Sequence, residues 1–391
     1  MAIINRSAAE ALIQEQIVSE IFQKPVQEST FLRLARRMPD MTSNQTRIRV
    51  LDTLPMAYWV SGDTGFKQTA EQAWDNVYIN AEELAVIVPI PEAVLDDASI
   101  DIMAQVTPRV REQFARMVDL ATIFGINKPA SWRADIITTA RQAGNNVAGG
   151  TLTYDKLLGE GGLFEKVEAG GNAINGVVAA LTARAKLRGI KTTDGLPIFK
   201  ADSMQGATNY ALDGAPVYFP VNGGFDPSVA LMIAGDWNQA VYAIRQDVTV
   251  KILDQAIIQD PSSKAIVYNL AQQDMIALRV VFRMGWALPN PVSAIDTNRT
   301  MCPFAYIGPA TAATTQKVTF TVTDGATQPA AIAGAKVEVD GVRKITGADG
   351  KAEFNLRKGT YAYKVSKKDA TTVTGSVTVA AAAVNEDVTL K

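Results

Sequence analysis

DPSVALMIAGDWNQAVYAIRQDVTVKILDQA at residues 226–256 and NLAQQDMIALRVVFRMGWALPNPVSAI at residues 269–295 decide how this chain folds. Residues 229–233 form an apolar run of strand length. Gly235-Asp236-Trp237 interrupts it, and a short helix followed by two strands is expected there. After a polar break, a long apolar run closes at Gly285-Trp286-Ala287. A buried strand, a short helix and further long strands in this order imply an α+β core.

Upstream, residues 81–125 read AEELAVIVPIPEAVLDDASIDIMAQVTPRVREQFARMVDLATIFG. A strand over 84–90 runs into Pro91. Asp96-Asp97 are expected to cap a long helix. Ile100, Met103, Val106, Val110, Phe114, Met117, Val118 and Ala121 recur at three- and four-residue spacing, which predicts one buried face. Gly125 suits the C-terminal end. Pro108 lies inside and is expected to kink the helix or split it.

Between these two stretches, residues 127–151 are polar and rich in Gly and Asn, and read as a loop. Residues 154–172 look helical but are interrupted at Gly159, Gly161 and Gly162. A short strand over 177–181, a helix over 182–188 and a turn over 193–198 follow. Strands return at 218–220 and 229–233.

Residues 1–50 read as an arm. A helix is expected over 7–22, stopped by Pro25. Ser29-Thr30 opens a second short piece carrying Phe31, Leu32 and Leu34, where Arg33, Arg36 and Arg37 cluster. Arg47, Ile48, Arg49 and Val50 alternate like a half-buried strand. Residues 51–80 read as a long excursion, with Trp59, Phe66, Trp74 and Tyr78 set among polar residues and turn residues at 61–65. Aromatics on a long hairpin either bury in their own domain or mark a surface that needs a partner.

A small-residue stretch, GPATAATTQ at 308–316, marks a linker. Beyond it, residues 317–391 alternate in short segments: Val318/Phe320/Val322, Val337/Val339, Ala352/Phe354/Leu356, Tyr361/Tyr363/Val365, Val377/Val379 and Val388/Leu390. Asp324-Gly325, Asp340-Gly341, Asp349-Gly350 and Lys358-Gly359 punctuate them. This spacing predicts a small all-β sandwich. The segment has 11 Lys and Arg against 8 Asp and Glu, and the remainder 27 against 32. A tail on such a linker is expected to be dispensable for the rest of the fold.

Composition excludes several functions. The chain has 391 residues, 47% hydrophobic and 20% charged, enough for two or three domains. A net charge of −2 argues against a dedicated nucleic-acid binder, which needs excess cations. There is no histidine, which removes the commonest general base and metal ligand. One cysteine, Cys302, permits neither an intrachain disulfide nor a thiolate zinc site, and fits synthesis in a reducing cytoplasm. No phosphate-cradling glycine motif occurs, and no apolar run approaches the ~18 residues of a membrane span. No catalytic, cofactor or metal residue can be nominated.

Over roughly residues 20–307, the order of elements resembles the major capsid proteins of tailed phages, carried most by the stretches 81–126 and 226–294. The resemblance implies the Hong Kong-phage capsid fold: an N-terminal arm (1–50), an extended hairpin loop (51–80) and a core (81–307). The core holds a peripheral domain with a long helix and an axial domain at roughly 150–235. Gly334-Ala335-x-Val337, Thr346-Gly347-Ala348-Asp349-Gly350-x-Ala352-x-Phe354 and Gly359-Thr360-Tyr361 resemble immunoglobulin-like domains of surface-repeat type. The implied function is assembly. Hexamers and pentamers would form an icosahedral head around double-stranded DNA held by weak nonspecific contacts, and the C-terminal domain (317–391) would face outward. Trp59, Phe66, Lys67 and Trp74 of the hairpin, with Arg33, Arg36 and Arg37 of the arm, are the implied assembly contacts. A separate scaffolding protein and a portal are implied partners, and a host-surface ligand suits the basic tail. The alternatives are an encapsulin-like nanocompartment shell and another virion structural protein such as a tail subunit.

Some relatives of each part form covalent Lys–Asn bonds. Lys67 with Asn290 would be the candidates between subunits, and Lys317 with Asn385 and Glu353 within the tail. No local motif surrounds either pair. Intact mass of the chain recovered from assembled particles is therefore expected to show no loss of ammonia, and a chain lighter by one ammonia would reverse this reading.

Overall fold

The computed structural model describes residues 28–60, 66–67, 69–97, 101–191, 210–260, 263–308, 316–326, 329–356, 358–367, 370–380 and 382–390. The expected helix at 7–22, the turns at 61–65 and 193–198 and most of the 308–316 linker lie outside the described residues.

The described chain opens with α1 (Thr30–Leu34), β1 (Arg36–Arg37), β2 (Gln45–Thr53), β3 (Ala73–Asn80) and β4 (Glu82–Pro91). Helices α2 (Glu92–Asp97), α3 (Ile102–Phe124) and α4 (Ile136–Gln142) follow, then β5 (Asn146–Val147), α5 (Tyr154–Leu158), α6 (Leu163–Glu168), β6 (Gly176–Ala179) and α7 (Ala183–Arg188). Strands β7 (Ala211–Leu212), β8 (Ala215–Tyr218) and β9 (Met232–Gly235) lead through a 3-10 turn at Trp237–Gln239. Next come β10 (Val241–Leu253), β11 (Ile257–Gln259), β12 (Ile266–Asn269), β13 (Met275–Ala287) and β14 (Phe304–Ile307). The C-terminal strands are β15 (Gln316–Thr323), β16 (Lys336–Val339), β17 (Val342–Ile345), β18 (Lys351–Leu356), β19 (Gly359–Ser366), β20 (Val373–Val379) and β21 (Val384–Thr389).

The described residues fall into two compact units, 85–111 with 250–280, and 28–84 with 112–249 and 281–390. In the first, β11 and β12 pair antiparallel, and the Glu92 amide donates to the Asp274 carbonyl. The second holds a six-stranded mixed sheet of order β5-β14-β9-β6-β8-β7. Its buried strands β6, β9 and β14 pack with α5, α6 and α7 around Val177, Ala179, Met232, Ala234, Leu163 and Leu187. A four-stranded sheet, β1-β10-β13-β4, contains three strands that begin in one unit and end in the other. The C-terminal strands form two sheets, β18-β15-β21 and β17-β16-β19-β20, whose inward residues share one core around Phe320, Phe354, Val337 and Val365.

The two stretches that open the reading of the sequence form as expected, and their glycines show why. β9 is fully buried and ends at Gly235, where a Cβ would overlap the Phe304 ring and the Pro303 carbonyl. Trp237, 1% exposed, donates from its indole nitrogen to the Gly176 carbonyl at 3.1 Å and meets Phe304 edge-on at 5.1 Å. At Gly285 a Cβ would overlap the Asn80 carbonyl and the Ile79 side chain, so β13 can pass the hairpin base only without one.

Five expectations are corrected. Pro108 does not split the long helix: α3 runs 23 residues through it. The proline forfeits one amide bond, to the Ala104 carbonyl, and the remaining turns carry the helix. Asp96 and Asp97 end α2 instead of capping α3, and the cap is Asp101, which accepts from the Ala104 amide at 3.0 Å. The supposed loop at 127–151 contains α4 and β5; Asp135 caps α4 by accepting from the Thr138 amide, and Ile136, Ile137 and Ala140 bury its short apolar face. Arg36 and Arg37 are not on a helix with Arg33, because β1 pairs parallel with β10 at Val241 and Tyr242. An additional strand, β17, returns against β16 through Asp340-Gly341, where Asp340 has φ +50° and Gly341 φ +90°.

Asp119 anchors the start of the described chain. This α3 residue is 1% exposed. Its carboxylate accepts from the Ser29 hydroxyl at 2.6 Å, the Phe31 amide at 2.9 Å, the Thr30 amide at 3.1 Å and the Asn222 side chain at 2.8 Å. Burial raises its pKa, and these four donors oppose the rise. The otherwise unbonded amides at the N-terminus of α1 are thereby satisfied from a helix 90 residues away.

Gly285→Ala is expected to destabilise the chain by roughly 1–3 kcal/mol through overpacking against β3. Thermal unfolding checks this; an unchanged Tm would show that the hairpin base can move aside.

Candidate assembly surface

The hairpin is where this chain departs from ordinary burial. β2 and β3 pair antiparallel from Gln45 opposite Asn80 to Thr53 opposite Ala73, with a shift of register around Asp52. Alternation puts Val50, Val77 and Ile79 inward, onto Met41, Val241, Ala243 and Ala287. Beyond the ladder, Trp59 is 103% exposed and Phe66 97%, and Trp74, opposite Leu51 on β3, is 63% exposed. Met56, Tyr58 and Val60 are exposed with them. Lys67 is exposed beside Phe66. So much contiguous apolar surface on one projection is a contact surface without its partner.

A buried ionic cluster holds the base of this projection. Asp52 Oδ1 lies 2.6 Å from Arg343 Nη1 and 3.5 Å from Arg299 Nη1, and Asp52 Oδ2 lies 2.9 Å from Lys336 Nζ. Asp75 Oδ2 lies 3.1 Å from Arg299 Nη1 and 3.3 Å from Arg343 Nη2. Arg343 also approaches Glu338 at 3.5 Å, and Glu338 pairs with Arg133 at 2.9 Å. Arg299 is fixed by donating to the carbonyls of Asn290 and Pro289, both at 2.8 Å. Both arginine side chains are only 8% exposed. Burial alone would raise the Asp52 pKa, but hydrogen bonds from Arg343 and Lys336 hold it far below the ordinary carboxylate range. Burial likewise opposes Asp75, yet the Asn76 amide, Lys364, Arg299 and Arg343 together hold it low.

These contacts join the hairpin strands to β16 and β17 and to the loop after β13. The Ala134 amide also donates to the Asp340 carbonyl, and Lys128 Nζ lies 3.9 Å from Asp340 Oδ2. The C-terminal sheets are therefore fastened to the rest of their unit by side chains and backbone, where the sequence suggests a tail held by its linker alone.

The other nominated residues lie on separate elements. Arg33 stacks over the Tyr218 ring at 5.0 Å, Arg37 pairs with Asp40 at 2.9 Å, and Arg36 is exposed on β1. Lys317 and Glu353 form a pair that is 53% exposed on each side, so the buried acid needed for a Lys–Asn bond is missing. Asn385 lies opposite Thr319 on the neighbouring strand. Asn290 donates to the Met301 carbonyl at 2.6 Å. Cys302 is buried and its thiol is pushed up to about 12 by desolvation. Among the described residues no cluster suits a metal, and no helix is long and apolar enough to cross a membrane.

Asp52, Asp75, Arg299, Lys336 and Arg343 were not nominated from sequence. Asp52 and Arg343 stand 291 positions apart, and no local pattern pairs them. The only sequence signal is an acid on each strand of an otherwise alternating hairpin.

A family model described as the phage capsid family matches residues 9–296. No curated protein matches. A solved structure from Microbacterium phage Oxtober96 is 32% identical, covering 79% of this chain and 100% of its own, with a TM-score of 0.67. One from Mycobacterium phage Cain is 32% identical over 80% of this chain and 100% of its own, with a TM-score of 0.68. A structure titled "Capsid of native GTA particle computed with C5 symmetry" is 20% identical over 79% of this chain and 100% of its own, with a TM-score of 0.59, and shares the fold.

Removing one member of a buried pair strands the other charge, at a cost on the order of 3 kcal/mol. Arg343→Met is expected to lower chain stability by that amount, and adding Asp52→Asn to recover part of it, by thermal or denaturant unfolding. Asp340 gives the opposite sign. Burial raises its pKa to about 6, aided by the charge of Asp135 and opposed by Lys128 and Arg133. A raised acid favours the fold below the ordinary carboxylate range and loses that contribution as pH rises through about 6. Asp340→Asn, which tolerates the positive φ, is expected to raise Tm above pH 6 and to flatten its pH dependence between 4 and 6. A lower Tm at pH 7 would mean that the Lys128 contact outweighs burial.

Proposed function

The chain belongs to the phage capsid family, and we propose that copies of it build the icosahedral head of a tailed phage as hexamers and pentamers around double-stranded DNA. Family membership makes it a structural protein of the virion, not an enzyme. In this reading the fold is that of the Hong Kong-phage capsid. The residues from 28 to 50 serve as the end of the arm, 51–80 as the extended loop and α3 as the long peripheral helix. The β5-β14-β9-β6-β8-β7 sheet is the axial core.

The observation that carries the proposal is a projection with fully exposed aromatics on an ion-paired base. A chain that fills its own cores with Phe31, Trp237, Phe304 and Phe320, yet leaves Trp59 and Phe66 in water, completes its burial against neighbours. Many modest contacts per subunit then sum to a stable closed shell. The net charge of −2 suits a wall that touches packaged DNA weakly.

Two sheets around one core, with strands every eight to twelve residues, support an immunoglobulin-like reading of residues 317–391. Its excess of cations suits display on the outer face and contact with an anionic host surface. A separate scaffolding protein and a portal belong to the same proposal, as does synthesis in the host cytoplasm.

Electron microscopy of the purified chain, alone and with a candidate scaffolding protein, tests this. Uniform icosahedral shells are expected. Tubes would assign the chain to a tail, and a chain that stays monomeric under every condition would overturn the assembly reading. Shells with knobs that vanish on truncation after residue 315 would locate the C-terminal domain outside. Because truncation removes Lys336 and Arg343, the shortened chain is expected to assemble in lower yield unless Asp52→Asn is added.

A further inference from the structure

We propose that an apolar groove beside α3 seats Phe66 of a second copy of this chain, with that copy's Lys67 held against Glu82 and Glu83. The proposal rests on the assembly reading and names the seat of the hairpin tip.

The groove has a volume of about 120 Å³, with Leu84, Met117, Ala121 and Met284 among its lining and Glu82 and Glu83 at its start. Apolar cavities of roughly 150 Å³ accept benzene, so this groove fits a phenyl ring better than an indole. Two methionines in the lining adapt their shape to an aromatic guest and make favourable sulfur–ring contacts. Trp59 is as exposed as Phe66, but its neighbours Tyr58 and Val60 carry no charge.

Charge selects the same residue. Lys67 is the only cation between residues 54 and 72. At the groove, Glu82 accepts from the Ser131 hydroxyl, and no cation pairs with it among the described residues. Glu83 is 55% exposed and only loosely paired, 3.8 Å from Arg283 Nε. A phenyl ring followed directly by a cation matches an apolar floor with two carboxylates beside it.

The chain's own hairpin leads away from this seat. The β2–β3 ladder begins at Gln45 opposite Asn80, two residues before Glu82, and opens toward the tip at Thr53 opposite Ala73. Eight residue steps of ladder carry the chain about 26 Å from the groove. Phe66 is 97% exposed and does not fill the groove of its own chain. A second copy is the occupant that supplies the residue without unzipping the ladder.

Cysteine trapping tests the contact, since Cys302 is buried with its thiol pushed up to about 12 and does not compete. Chains carrying Lys67→Cys and chains carrying Glu83→Cys are mixed, assembled and oxidised. A disulfide joining one chain of each kind is expected in shells, at least tenfold more abundant than in the unassembled mixture. Phe66→Ala is expected to raise the chain concentration needed for shells at least tenfold, whereas Phe66→Met leaves it nearly unchanged. Lys67→Glu should weaken assembly, and Glu83→Lys should restore it in the same chain. Shells that form without the mixed disulfide would overturn the contact and leave the assembly reading standing. A link within one diluted chain carrying both cysteines would show self-docking and also overturn it. Failure of the unaltered chain to form shells would remove the assembly reading itself, a separate result.

Discussion

Two carboxylates on one hairpin, Asp52 and Asp75, share the guanidinium groups of Arg299 and Arg343, and the placement of the C-terminal sheets and of the hairpin depends on that sharing. A two-stranded hairpin is marginal in water on its own. This one has an apolar face on Val241, Ala243 and Ala287 and an ionic lock at the register shift around Asp52. Neither arginine reaches much water, so each charge needs the others. The cluster stabilises little against an apolar equivalent, but it admits one arrangement of hairpin, post-β13 loop and C-terminal sheets.

That arrangement matters because the tip is left unsatisfied. Exposed Trp59 and Phe66 would favour collapse onto any apolar surface, including their own unit. A rigid base keeps them displayed. In the capsid setting, order at the base limits the entropy lost when the tip docks, so that more of the burial energy appears as association.

Elsewhere in the same unit the chain obeys stricter rules. Asp119 satisfies the start of α1 with four donors, and Trp237 finds a carbonyl for its indole nitrogen. Gly235 and Gly285 permit backbone approaches that any side chain would block. These are the marks of an interior that closes on itself. Against them, the hairpin tip stands out as surface intended for another molecule.

The sequence by itself determined most of the elements and the absence of catalytic chemistry. Period-two alternation marked β15, β18 and β19, and three- and four-residue spacing marked α3, because burial on one face forces those periods whatever the partner. It also marked Trp59 and Phe66 as unusual, since aromatics among turn residues have no local place to bury. Local signals failed where context outweighed them. Pro108 sits in a helix long enough to absorb one lost bond, and the four apolar residues of α4 were too few to register among polar neighbours. Only the tertiary structure decided that the C-terminal sheets are clamped to their unit, because Asp52 meets Arg343 across 291 residues of chain. A charge pair of that separation leaves no periodicity to read; it exists only once the backbone has brought the two ends together.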